Sequence, residues 1–562
     1  MTTPTVRSAG STIVDDESAI DPAELRDHVA PLARAVLAHA LILGVAADLL
    51  LRSGFTGLGY PLWLTLLALG TLSLVWRAGR RIPREAAAWL LVAVAFGVGM
   101  AWRDEEGLQF LDFVATLFAL GMTAIAIGDA RAALLAARLR DTIWAGAAEI
   151  RSVAAGLVPL VVHDVSLPVA QRELQGRFRP IARAALIAVP LLVVFGSLLR
   201  DADPVFASLV ALPELDIGAI LSHVVVIGLF TWIVAGWARG ALIADLTRRR
   251  APEVLPFGLG MLDVTVALGT LNALFALYVA TQFGWFFGGE RFLQARTGLT
   301  AAEYARQGFF QMVWVVLLVV PLLVGTRAML RPDRALERRH TALALPLIAL
   351  LATMILSAML RMRLYVQYYG LTTDRLYPLV LMGWLAVMLA WLALTVLRGA
   401  GRPFVAGAVM SGLATLVALH VTVPDVIVAR VNLARARNAD SAATPGLDIE
   451  HLARLGGDAV PLAIPAVLAP SRGAPGSAER VASDRARCNA SMWLLRRTRW
   501  RAGDPLPDDG AAWRRWNGGA AEAQRVVREN TPALRAVTRA TCVARPPRTG
   551  PAAGPATAPA GT

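Results

Sequence analysis

The chain has 562 residues, 56% of them hydrophobic and only 17% charged, with a mean hydropathy of +0.55. Its apolar residues come in blocks of about twenty, which excludes a single soluble globular domain. All 55 cationic residues are arginine and the net charge is +14, yet the arginines cluster between the apolar blocks, where they orient a membrane protein rather than bind nucleic acid.

Residues 1–29 are polar and acidic and read as a cytoplasmic, disordered leader. Eleven segments then satisfy the bilayer requirement for roughly twenty helical, predominantly apolar residues. They run over 35–51, 60–76, 86–102, 108–128, 184–199, 217–237, 261–287, 309–326, 341–360, 376–397 and 404–423. Trp76, Trp102, Trp237 and Trp285 stand at or near their ends, where an amphipathic ring suits the headgroup layer. The first apolar stretch leads directly to another, so it reads as a signal anchor rather than a cleaved signal. The predicted fold is all-α: a polytopic transmembrane bundle at 30–423, with the lipid bilayer as its first partner.

Arginine bias sets the orientation. Arg77, Arg80, Arg81 and Arg84 follow the second span, Arg131, Arg138 and Arg140 the fourth, Arg248 to Arg250 the sixth, and Arg327, Arg331, Arg334, Arg338 and Arg339 the eighth. Those loops read as cytoplasmic. The alternate loops carry Asp104, Glu105 and Glu106, then Asp201, Asp203, Glu214 and Asp216, and read as outward. Segment 143–162 is moderately apolar but holds Glu149 and Arg151, so it reads as interfacial. Counting it as a span would invert every later loop against the arginine bias. The N-terminus is then cytoplasmic and the C-terminus extracytoplasmic, as in a plasma-membrane protein.

From Pro424 the composition turns polar and arginine-rich, giving an extracytoplasmic helical region at 424–545 and a disordered Pro/Ala/Gly-rich end at 546–562. Cys488 and Cys542, the two cysteines of the chain, both lie there, and an oxidising exterior would let them bridge. The alternative is two unrelated thiols. Amphipathic helices are expected at 448–455, 478–497 and 511–528, the last placing Trp513 and Trp516 on one face. Such a cap packs on the membrane helices or lies against anionic lipid or glycan.

Soluble-enzyme motifs are missing: H-E-x-x-H, G-x-S-x-G, C-x-x-C and any lysine-dependent site are all absent. No metal or cofactor is implied, and the chain leans away from being an enzyme. His39, His223 and His420 fall inside spans as single polar groups suited to interhelical hydrogen bonds. The ionisable or polar positions within spans are Asp48, four residues before Arg52, then Asp112, Asp263, Asn272 and Gln282. An interfacial ion pair at Asp48 and interhelical bonding at Asn272 are the expected roles.

The densest chemistry falls on the predicted outer face: QFGWFFGGERF at 282–292, LTAAEYARQGFF at 299–310 with Tyr304 and Arg306, and RMRLYVQYYGLTTDRLYPL at 361–379. Were the ninth helix to continue, Arg361, Tyr365, Tyr368 and Tyr369 would share one stripe and Gly370 would end it, with Arg363 and Arg375 nearby. Such a cluster offers forked donors for phosphate or carboxylate and flat faces for sugar. The bland alternative is an aromatic belt with anchoring arginines.

These segments, with LLVVFGSLLRDADPVFASL at 191–209, LNALFALYVATQFGWFFGG at 271–289 and VPDVIVARVNLARA at 423–436, resemble a widespread family of bacterial multi-pass membrane proteins. It is numbered 4173 in the domain-of-unknown-function series and is related to the family numbered 4153. The family pattern often has Asn-Pro-Asp where Val423, Pro424 and Asp425 stand here. The resemblance implies a polytopic fold in a bacterial inner membrane, and no catalytic residue, substrate or cofactor. Three functions compete. The first binds or helps transport an anionic envelope component at the outer face. The second is a membrane-embedded transferase using a lipid-linked donor, with Asp104, Glu105 or Glu106 as its acid. The third is a structural or signalling partner acting through the tail.

Overall fold

The computed structural model describes residues 22–128, 139–165, 217–243, 259–297, 309–330, 333–397, 402–437, 446–502 and 512–542, with the single positions 184, 188 and 195. The leader through 21, the rest of the fifth predicted span, Tyr304, Arg306 and the end from 543 lie outside the described residues, as do the side chains of Gln282 and Tyr368.

The described chain is helical, with one isolated bridge between Leu259 and Leu330. Its helices are α1 (Pro22–Leu51), α2 (Gly59–Arg77), α3 (Arg84–Trp102), α4 (Glu106–Gly128), α5 (Leu139–Ala155) and α6 (Leu157–Pro159), which runs on as a π turn over Leu160–Asp164. Then come α7 (Ile217–Leu242), α8 (Met261–Thr297), α9 (Phe309–Ala328), α10 (Arg334–Tyr369), α11 (Thr373–Leu397), α12 (Arg402–Thr422) and α13 (Pro424–Arg437). The tail adds α14 (Ile449–Arg454), α15 (Val460–Leu468), α16 (Ala478–Ala502) and α17 (Gly518–Thr541).

Among the described residues nine helices are long and apolar enough to cross a bilayer: α1 to α4, α7, α8, α10, α11 and α12. The eighth predicted span, 309–326, contains a shorter apolar helix, Trp314–Arg327. Segment 143–162, expected as one interfacial piece, is two helices bent by 64° between Ala155 and Leu157. The break is satisfied locally, since Gly156 N–H reaches Ser152 O at 2.6 Å and the Ser152 hydroxyl donates to Gly236 O at 2.9 Å. Irregular backbone of this kind survives at membrane depth only where protein covers it.

The chain divides into two compact units. The first comprises residues 1–48, 70–81 and 149–247. Here His223 meets Asp48 at 2.5 Å, Arg239 pairs with Asp164 at 2.6 Å, and Trp232 donates to Ala154 O at 3.0 Å. The second comprises 49–69, 82–148 and 248–562, and so holds the α3–α4 hairpin, α8 to α13 and the whole tail. Its main core packs Leu347, Leu351, Leu385 and Leu389, all fully buried, with Val264, Leu268 and Val316. Asn272 donates at 2.8 Å to Leu268 O in its own helix and to Leu343 O in α10, the interhelical role expected of it.

The tail has its own small core of Ile464, Val467, Leu494, Val527 and Leu534. A second cluster joins Leu371, Leu376 and Val428 to Leu452 and Leu455, so the tail is built onto the membrane helices of its unit. Cys488 and Cys542 are bonded and tie α16 to the end of α17. Helix α17 begins at Gly518 rather than 511, because Asn517 caps it by accepting from Ala520 N–H at 3.0 Å. Trp513 therefore sits in a separate 3-10 turn (Ala512–Arg515), and the shared helical face expected for Trp513 and Trp516 does not form.

Candidate functional site

Two constellations occupy one end of the second unit. The first is the α10–α11 turn. Helix α10 is 36 residues long, about 54 Å at 1.5 Å per residue, and outruns the bilayer core. It ends at Gly370, whose φ of 82° lies in the left-handed region that glycine reaches without a Cβ penalty. The Tyr365 and Tyr369 rings meet at a tilt of 46° with centroids 5.0 Å apart, the contact their spacing predicts.

The expected stripe then splits by burial. Arg361 is buried, donating to Ser357 at 3.4 Å within its own helix, while Arg363 is exposed and two residues away from the Tyr365 face. Arg375, from the first turn of α11, is the arginine that joins the tyrosines. Its guanidinium carbon lies 4.3 Å from the Tyr365 ring centroid, and its Nη1 donates to Tyr369 O at 3.2 Å and to Gly370 O. Those carbonyls close a helix C-terminus, where partial negative charge favours a cation. The Nε and Nη2 edge donates no hydrogen bond to the described residues. This fork is held by stacking and by its third nitrogen, and its spacing matches a carboxylate or phosphate.

The second constellation lies where the tail meets the α3–α4 turn. Glu105 caps α4, accepting from Gly107 N–H at 3.1 Å and Leu108 N–H at 2.6 Å, and takes the Tyr377 hydroxyl besides. Asp104 pairs with Arg497 of α16 at 2.7 Å, and Arg103 pairs with Asp458 at 3.0 Å. Asp458 also accepts Asp104 N–H at 3.0 Å. Asn517 donates to Met100 O, Arg103 O and Thr56 O at 3.0, 2.9 and 3.3 Å. Gly518 and Gly519 lie so close to Trp102 O and Asp104 N that a Cβ on either would intrude. Removing one partner of a buried pair such as Arg497–Asp104 costs about 3–5 kcal/mol, so the tail is latched rather than tethered.

Beneath this latch His420 of α12 meets Asp112 of α4 at 2.8 Å. Asp425, 3% exposed at the start of α13, accepts Gly456 N–H at 2.5 Å. Burial, reinforced by the neighbouring Glu105 carboxylate, pushes its pKa up to about 7.

Sequence reasoning singled out Asp112 and the Asp104–Glu106 loop but assigned them no partners. Asp425 was named only as part of the Val423-Pro424-Asp425 run, with no role, and Tyr377, Asp458, Arg497 and Asn517 were given none either. The WNGG run at 516–519 was the one local signal, an N-cap followed by two residues without side chains. Asp48 has His223 as a partner in the first unit, and Asp263 accepts the exposed Gly260 N–H at 2.8 Å.

The family model described as Domain of unknown function (DUF4153) matches residues 90–465, two thirds of the chain. That stretch holds both constellations except Thr56, Arg497 and Asn517 to Gly519. No curated protein and no solved structure matches the chain.

Proposed function

We propose, from the premise that the chain belongs to the DUF4153 family, that it binds an anionic component of the bacterial envelope at the α10–α11 turn. It sits in the plasma membrane with its N-terminus cytoplasmic and its tail outside. The observation that carries this reading is Arg375, oriented by the Tyr365 ring and two carbonyls, with its Nε and Nη2 donating to no acceptor among the described residues. Tyr369, 52% exposed beside it, adds a flat face for a sugar or headgroup. Arg361 is buried, and its role is packing and positioning rather than ligand contact.

The transferase reading needs a carboxylate free to act in the second outer loop. Asp104 is bound to Arg497 and Glu105 to the α4 N-terminus and Tyr377, which leaves the exposed Glu106. A tail this closely built into the membrane unit also weighs against an independent partner-binding module.

The test is mass spectrometry of the lipids and glycans retained by the purified chain. Arg375→Lys keeps the charge but lacks the fork, and is expected to lose an anionic species that Arg363→Ala retains. An unchanged complement in Arg375→Lys would remove the reading.

A further inference from the structure

The turn at 512–517 lies at the level of the lipid headgroups by virtue of what it touches. Leu58 N–H donates to Trp516 O at 3.2 Å, one residue before α2 begins. Asn517 reaches Met100 O and Arg103 O, which flank the end of α3 at Trp102. Both helices are membrane-spanning in length and composition. The tail thus returns to the bilayer surface after leaving it at the end of α12, and presents WRRW there.

Trp513 and Trp516 are 47% and 41% exposed, beside Trp102 at 57% and Phe55 at 40%. Arg515 is exposed, and the Arg514 guanidinium lies 5.8 Å from the Trp513 ring with its Nε buried and unpartnered. No carboxylate among the described residues forms an ion pair with either arginine. Indole rings favour the interface itself, and paired guanidinium groups there face the phosphate layer.

We propose that the 512–517 turn is a lipid clamp, in which Arg514 and Arg515 hold the phosphate of an anionic phospholipid while Trp513 and Trp516 seat against its glycerol and upper acyl region. The occupant is the bilayer's own lipid, since charge complementarity and membrane level coincide at this turn. The clamp is separate from the Arg375 fork and does not depend on it.

Native mass spectrometry of the full chain, titrated with phosphatidylglycerol or phosphatidylcholine of matched acyl chains, tests it. Arg514→Gln with Arg515→Gln should weaken phosphatidylglycerol binding about fivefold per arginine, the worth of one cation at an anionic surface, and weaken phosphatidylcholine less, because its choline cation offsets the phosphate charge. Trp513→Ala with Trp516→Ala should weaken both lipids. Unchanged phosphatidylglycerol affinity in the double arginine variant overturns the proposal. Should that variant unfold early, Arg515→Gln alone decides the question, because its side chain is exposed. Arg375→Lys should leave this binding untouched, so either proposal can fail without the other.

Discussion

Asp425 couples the latch to pH. Its carboxyl is raised to about 7 from an ordinary value of 3.8, and Glu105, Asp458, Arg497 and Tyr377 are the charged or titratable groups that face it. Between those two pH values the folded chain holds a proton that the unfolded chain releases, so stability falls as pH rises from about 4 to about 7 and then levels. Thermal unfolding of the purified chain should therefore occur at higher temperature at pH 6 than at pH 7.5. Asp425→Asn, of the same shape, should remove that difference, and a difference that persists would place the titration elsewhere. Val423, just before it, has φ of 54°, a conformation that costs a β-branched residue about 1–2 kcal/mol. Asparagine adopts that conformation more readily. Val423→Asn should accordingly raise the unfolding temperature, and a fall would mean that lost apolar burial outweighs the relieved strain. The Asn-Pro-Asp comparison brought these residues into view, yet neither the strain nor the buried carboxylate was legible without the backbone.

At the scale of elements, amphipathic patterning located the tail helices to within a few residues at 448–455 and 478–497 and misplaced the start of α17. Local propensity could not see that Asn517 spends its side chain on three carbonyls from two distant turns as well as on its own helix. The bridge between α16 and α17 closes 54 residues, which in the chain-entropy account stabilises the fold by about 4 kcal/mol. Reduction should lower the first unfolding transition and make α17 the first helix to exchange its amide hydrogens. Equal protection of α17 in both redox states would show that the Arg497 and Asn517 contacts suffice. The Arg361–Tyr369 stripe was legible as spacing. Its division into a buried arginine, an exposed one and a tilted pair of tyrosine rings needed the packing of α10 against α11.

Over the whole molecule, connectivity constrains how often the chain crosses. Within the second unit the turns at 56–58, 103–105 and 370–372 all meet the tail. The chain leaves that end on α4 and returns to it on α10, so an even number of crossings must separate 128 from 334. The four predicted spans at 184–199, 217–237, 261–287 and 309–326 supply that number if the bent pair at 145–164 turns back. In the proposed orientation the shared end is the exterior one, as expected from the arginine bias. Alkaline phosphatase fused after Arg437 should be active and a fluorescent protein there dark, with the reverse for fusions after Gly128 and after Asp164. Activity after Asp164 would make the bent pair a full span.

Membrane residence, helical class and the sorting of turns onto one side were readable from the chain alone. They depend on local quantities, the length of an apolar block and the charge of a short loop, which act on lipid and on membrane orientation without reference to other segments. Which groups meet depended on tertiary packing. His420 finds Asp112 across 308 positions and Arg497 finds Asp104 across 393, because helix packing, not local pattern, decides which buried polar group satisfies another.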